Sequence, residues 1–230
     1  MDVGETGGAG ERQQRGGLSA AGIARAGIQL ADAEGLDAVS MRRVAALLGS
    51  GTMSLYRHVS SRDDLLALMT DEVFSGVPEL PRSGRWRDDL EAVAALIRDV
   101  TLRHPWLAGR SVPRLGLGPN LLRMLESTLA VVDGYGLSVD QSLDVLGTLQ
   151  AFVQGCVQEE IAEQDARQRT TLTKVEAQRS QEAEIRRIVD SGAYPHVSRV
   201  VIESAEDADV RAVFARRLAY VLDGLAPVFR

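Results

Sequence analysis

The side chains best equipped for chemistry gather between residues 42 and 62. Arg42, Thr52, Met53, Ser54, Tyr56, Arg57, His58 and Arg62 bring together fixed charge, hydroxyls, a thioether and an aromatic ring. Leu55 and Val59, four apart, belong on the buried side of a helix, which turns Thr52, Met53, Ser54, Arg57 and His58 outward. Facing a DNA major groove, Arg57 can fork onto guanine, Ser54 and Thr52 can bond a base edge or phosphate, and Met53 can touch a thymine methyl. Arg42 opens the preceding helix, where its charge and the N-terminal amides suit a phosphate. Taken singly, each residue has a plainer role: Tyr56 as a core aromatic, Arg57 as a solvated charge.

Other chemistries lack a pattern. Cys156 is the single cysteine, and His58, His104 and His196 lie far apart. A trio of His104, Cys156 and His196 has no metal-ligand spacing. No G-x-S-x-G, phosphate-binding loop or dinucleotide fingerprint occurs. The acidic pairs Asp63-Asp64, Asp71-Glu72 and Asp88-Asp89 read as solvated groups at helix starts, where they suit the helix dipole. The expectation is a protein with no catalytic residue, metal or cofactor.

The chain has 230 residues, of which 45% are hydrophobic, enough for a sizeable core. No apolar run reaches the roughly 18 residues of a membrane helix, and no basic-then-apolar leader opens the chain, which predicts a soluble, cytoplasmic protein with no membrane partner. Net charge is −6, yet residues 1–62 hold seven arginines against six carboxylates. That end is therefore +1 and the remaining 168 residues carry −7. A relatively basic end on an acidic body lets one end approach polyphosphate while the other is repelled.

Nearly every apolar pattern has the helical period, so the fold class is all-α. Residues 1–17, Gly-rich and polar, read as a flexible arm. A first helix runs from a Ser19 cap with Ile23, Ala26, Gly27, Leu30 and Ala31 on one face, and stops at Gly35. Ser40 caps a second, short helix whose Val44, Ala45 and Leu48 face inward. Gly49-Ser50-Gly51 ends it, and Thr52 to Val59 forms a third. Ser61 caps a fourth helix with Leu65, Leu66, Met69, Val73 and Val77 along one side, broken at Pro78 and Pro81. Further helical runs span Trp86 to His104, Asn120 to Gly134, Ser138 to about Asp165, and a stretch from Asp209. Two short helices joined by a glycine turn after a longer one are the grammar of a helix-turn-helix. This places a DNA-binding domain at 18–64 and a larger helical domain at 65–230, the one expected to carry the ligand-binding and dimerisation roles.

The run Gly35-Leu36-Asp37-Ala38-Val39-Ser40-Met41-Arg42-Arg43-Val44-Ala45, followed by Met53-Ser54-Leu55-Tyr56-Arg57-His58-Val59-Ser60-Ser61-Arg62-Asp63-Asp64-Leu65-Leu66, resembles the TetR family. The close match extends from Leu18 to Leu65. His104-Pro105-Trp106-Leu107, Leu117-Gly118-Pro119-Asn120 and Phe152-Val153-Gln154-Gly155-Cys156-Val157 resemble the C-terminal domain of its tetracycline-repressor branch. The resemblance implies phosphate contacts for Tyr56 and Arg62. It also implies a homodimeric regulator, most simply a repressor, whose grip on an operator is spoiled when a ligand in the C-terminal domain moves the fourth helix. The chain departs from the family at Ser50, where a small aliphatic is common, and at Gly51, where a polar cap is common. The branch's tetracycline-binding members use a histidine in the segment reading here Gly109-Arg110-Ser111-Val112. None is present, so tetracycline is not the expected effector.

Gly147, Ala151 and Gly155, at spacing four, form a smooth strip for close helix approach. With Phe214, Leu218, Val221 and Leu222 of the last helix it composes the expected interface of a two-fold, four-helix dimer. Ile97, Trp106, Met124, Gln150, Phe152 and Cys156 are the candidates for a pocket between helices, and the loop Gly109 to Pro119 is the segment expected to move when a small-molecule effector enters. The expected partners are thus double-stranded DNA, an effector and a second copy. The competing reading is a dimeric helical ligand-binding or interaction protein that does not read DNA.

Overall fold

A computed structural model describes residues 18–108, 117–168, 185–203 and 209–229. The arm at 1–17 and most of the loop expected to move, including Gly109 to Val112, lie outside the described residues. Among those described, every regular element is helical.

Helix α1 (Ala20–Glu34) starts where the Ser19 hydroxyl accepts the Gly22 N–H and closes at Gly35. Its buried stripe contains the five residues named from the sequence, with Ala24 added. Ser40 caps α2 (Met41–Leu47) by accepting the Arg43 N–H. There the inward residues are Met41, Val44 and Ala45, whereas Leu48 is 37% exposed. The helix has ended at Leu47, so Leu48 leaves the 3.6-residue period and turns outward with the Gly49 bend.

Helix α3 (Thr52–Leu55) is a single turn, shorter than the expected span to Val59. A bend completes the segment, and the Val59 N–H still reaches the Leu55 carbonyl at 3.0 Å. Leu55 and Val59 therefore both enter the core, at 0% and 3% exposure. Burying a residue such as Leu55 contributes roughly 1.5–3 kcal/mol, enough to hold so short a helix in place.

Helix α4 (Arg62–Val73) is capped by Ser61, which accepts the Asp64 N–H. It ends four residues before Val77, the last residue expected in it, because Phe74 turns into the core and the chain tightens through Phe74 N–H to Asp71 and Ser75 N–H to Glu72. Helices α1 and α4 pack closely. A Cβ on Gly27 would stand 2.6 Å from the Met69 sulfur, so any larger residue there would force the Met69 side chain to move.

The C-terminal region comprises α5 (Trp86–Arg103), α6 (Pro119–Val132), α7 (Val139–Gln168), α8 (described over 185–190), α9 (Pro195–Glu203) and α10 (Val210–Leu225). Two core clusters hold the chain. One joins α1 to α4 with Val100, Trp106, Leu107 and Leu121. The other packs Leu90, Val93 and Ala94 of α5 against Val131 and Val132 of α6, Val145, Leu149, Val153 and Val157 of α7, and Leu218 and Leu222 of α10.

Two of the acidic residues read as solvated are instead buried. Asp89 is 2% exposed and accepts the Ser83 N–H and the Tyr135 hydroxyl, and Asp71 is 8% exposed and accepts donors from α6. Tertiary donors, not the local helix start, set their environment. No helix among the described residues is long and apolar enough to cross a membrane.

Candidate nucleic-acid interface

The core side of α3 fixes what its other side presents. With Leu55 pinned inside, Met53 is 79% exposed and Tyr56 47%. Arg57 and His58 are exposed beside them, and Thr52 and Ser54 are half-buried. Among the described residues Arg57 makes one long contact, to the Ser54 hydroxyl at 3.3 Å, so its guanidinium is held loosely. Gly51 caps α3 without a side-chain oxygen. The first turn therefore lacks the usual side-chain acceptor for its amides.

The arginines near this face divide by partner. Arg42 and Arg57 have no carboxylate within ion-pair distance among the described residues, whereas Arg43 forks onto Glu34 at 2.6 and 2.9 Å. The hydrogen bonds from Arg43 hold the Glu34 carboxyl below its ordinary range, and Glu34 in turn raises Arg43. Arg62 donates to the Leu36 carbonyl at 3.2 Å, which ties the start of α4 to the connection between α1 and α2. What remains exposed on α2, α3 and the following turn includes two arginines, hydroxyls, a tyrosine and a methionine, a mixture suited to phosphates and base edges.

The six pocket candidates are distributed over both core clusters and α7. Met124 and Trp106 belong to the first core cluster, and Ile97 and Phe152 to the second. The Trp106 ring N–H donates to Asp32 of α1 at 2.8 Å. Phe152 stacks on Phe214 with ring centroids 5.7 Å apart, and Gln150 and Cys156 are half-buried on α7. An open cavity of about 560 Å³ lies between α5, α7 and the start of α10, lined by residues that include Arg98, Leu102, Glu160 and Asp209. None of the six lines it. Arg98 there reaches both oxygens of Glu160, at 2.8 and 3.0 Å, and lies over the Phe214 ring.

The seven residues expected at a subunit interface also separate. Gly147, Ala151 and Gly155 lie on the exposed side of α7, and a Cβ at either glycine would meet nothing within 4 Å. Leu218 and Leu222, at 6% and 0% exposure, are instead inside the chain's own core, and Phe214 is half-buried against Phe152. Val221 is half-buried. The apolar stripe of α10 is consumed by packing on α7 within one chain, so its most buried members cannot touch a second copy.

Sequence reasoning gave Asp32 no role and read Asp71 as a solvated acid. Asp32 on α1 and Asp71 on α4 each tie their helix to a partner 74 and 49 residues further along the chain, respectively. Nothing in the local spacing points to those partners.

Two family patterns cover most of this chain. The one described as "Bacterial regulatory proteins, tetR family" matches residues 23–69, and "Tetracyclin repressor-like, C-terminal domain" matches residues 77–229. The HTH-type transcriptional repressor DrrR1 of Streptomyces coeruleorubidus is 37% identical over 88% of this chain and 75% of its own length. An HTH-type transcriptional regulator of Saccharopolyspora erythraea is 33% identical over 89% and 83%. Among solved structures, ActR of Streptomyces coelicolor in complex with actinorhodin is 28% identical, with a TM-score of 0.67 over 92% of this chain and 98% of that one.

Proposed function

This chain belongs to the TetR family of bacterial transcriptional regulators, and we propose that it acts as a homodimeric repressor released from a double-stranded DNA operator by a small-molecule effector. The observation that carries the reading is the recognition face. Met53, Tyr56, Arg57 and His58 stand exposed over the buried pair Leu55 and Val59, and Arg42 of α2 is exposed with no ion-pair partner among the described residues. In this reading Thr52, Met53, Ser54, Arg57 and His58 face the major groove, and Arg42, Tyr56 and Arg62 hold phosphates. Residues 18–64 read DNA, residues 65–230 serve the effector and the second copy, and no catalytic step is assigned.

One helix-turn-helix offers few contacts, whereas two reach half-sites roughly 34–36 Å apart. A second copy suits the exposed side of α7, where Val139 and Leu143 continue the small-residue strip of Gly147, Ala151 and Gly155. Tyr220, 66% exposed, offers the outer side of α10 to the same contact. The structural neighbour ActR was solved with actinorhodin bound, which supports an organic effector for this chain as well.

The test is fluorescence anisotropy with labelled duplexes tiled across the gene's own upstream region, at two salt concentrations. A tight site on one tile, weakened steeply by salt and lost in the Tyr56→Ala/Arg57→Ala double variant, is the expected result. Equal weak binding to every tile would instead favour a dimeric ligand-binding protein that does not read sequence.

A further inference from the structure

Two carboxylates join the helices that carry the recognition face to the rest of the chain. Asp71, in the last turn of α4, accepts the backbone N–H groups of Asn120 and Leu121 through Oδ1, both at 2.9 Å. Its Oδ2 accepts the Asn120 side-chain amide, also at 2.9 Å. A Cβ on Gly118 would overlap this carboxylate, so the start of α6 comes this close only because residue 118 is glycine. The contact is returned. Arg123, one turn into α6, donates to the carbonyls of Phe74 and Ser75 at 3.1 and 3.4 Å, and Asn120 Oδ1 braces it at 3.2 Å. The acid thus meets the positive end of α6 and the arginine the negative end of α4.

A second tie parallels the first. Asp32 of α1 accepts the Trp106 ring N–H at 2.8 Å and lies 2.9 Å from His104 Nδ1. Helices α1 and α4 are themselves locked together by the Gly27 and Met69 contact and by the Arg25 to Glu72 ion pair. Helices α1 and α4 therefore each reach the later helices through one of two separate carboxylates.

We propose that Asp71 is a positioning residue for DNA binding, and that its clasp on residues 118–121, seconded by Asp32 on Trp106, sets the orientation of α4 and hence of α1 to α3. Three donors converge on one buried carboxylate. Losing one of them strands a charge or an amide without a partner, so the clasp is either whole or open. A rearrangement at the start of α6 is then passed to α4 instead of being absorbed between the helices. This rests on the regulator reading for its consequence, but the clasp itself is tested without DNA.

The experiment is amide hydrogen exchange on the full chain, for wild type, Asp71→Ala, Asp71→Asn, Asn120→Ala and Gly118→Ala, with anisotropy on the tightest duplex tile. In Asp71→Ala, the amides of Asn120 and Leu121 are expected to exchange at least about tenfold faster, and the increase to spread through α4 and α1 while α7 and α10 stay unchanged. Affinity for the tile falls in step, and Asp71→Asn lies between Asp71→Ala and wild type. Faster exchange confined to the first turn of α6, with α4 and DNA affinity unchanged, would make Asp71 a local helix cap and overturn the proposal. Should Asp71→Ala lose its cooperative thermal transition, Asn120→Ala and Gly118→Ala decide the question by the same spread. Exchange that spreads as expected in a protein that binds no tile would leave the clasp standing and sink the regulator reading instead.

Discussion

Arg43 forks onto Glu34 while its neighbour Arg42 stands exposed without an ion-pair partner among the described residues. Two adjacent arginines at the start of α2 thus have different standing: one closes α1 onto α2, and the other remains available to a phosphate.

Glu34→Gln should release Arg43 toward the DNA and remove a negative charge near the same face. Affinity for unrelated duplexes is expected to rise, and the slope of log affinity against log salt to steepen by about one. An unchanged slope in a salt titration would show that Arg43 does not reach phosphate once freed.

Gly155→Glu places a charge on the exposed strip of α7, where a Cβ meets nothing within 4 Å of its own chain. The fold should therefore tolerate it. Analytical ultracentrifugation is expected to show a dimer for wild type and a monomer for the variant, with an unshifted thermal transition. A variant that stays dimeric would move the interface away from this strip.

Asp89 and Tyr135 confine part of the stability to a pH window. Burial pushes the Asp89 carboxyl up, but hydrogen bonds from Ser83, Tyr135 and Gly84 outweigh it and hold the group below its ordinary range. The unfolded chain then takes up this proton more readily. Its contribution is complete above about pH 4 and is lost as pH falls through the lowered native value. Burial, then the Asp89 charge, raises the Tyr135 phenol. That contribution is complete below about pH 10 and is lost as pH rises through the raised native value. Urea denaturation of Tyr135→Phe across pH should show the alkaline decline abolished, at a cost of about 1 kcal/mol near neutrality. An alkaline decline that persists would assign it to another group.

Ser50, in the turn between α2 and α3, carries a buried hydroxyl with no hydrogen-bond partner among the described residues. Its hydration is lost without replacement, so Ser50→Ala is expected to raise stability by about 1 kcal/mol in chemical denaturation. A destabilised variant would reveal a partner for this oxygen that forms in solution.

How much of this was legible in the residues depended on distance along the chain. Ser19, Ser40 and Ser61 all cap helices as their positions predict, because a cap reaches only two or three residues onward. Leu55 and Val59 face inward for the same local reason, and the outward set on α3 follows from them. Helix ends were harder. Phe74 reads as a continuation of α4 until the core and Arg123 draw the chain away from it.

The sequence by itself determined the helical class, the capped helix-turn-helix and the residues its third helix turns outward, since period, caps and glycine turns act within a few residues. Only the tertiary structure decided that Asp71 closes the start of α6 from 49 residues away, that Asp32 receives Trp106, and that Leu218 and Leu222 serve the chain's own core. An acid on a helix looks the same in sequence whether it faces water or the donors of another helix. The side of an apolar stripe that is covered depends on which helix arrives there. Both are settled by how helices distant in sequence pack, which no local pattern records.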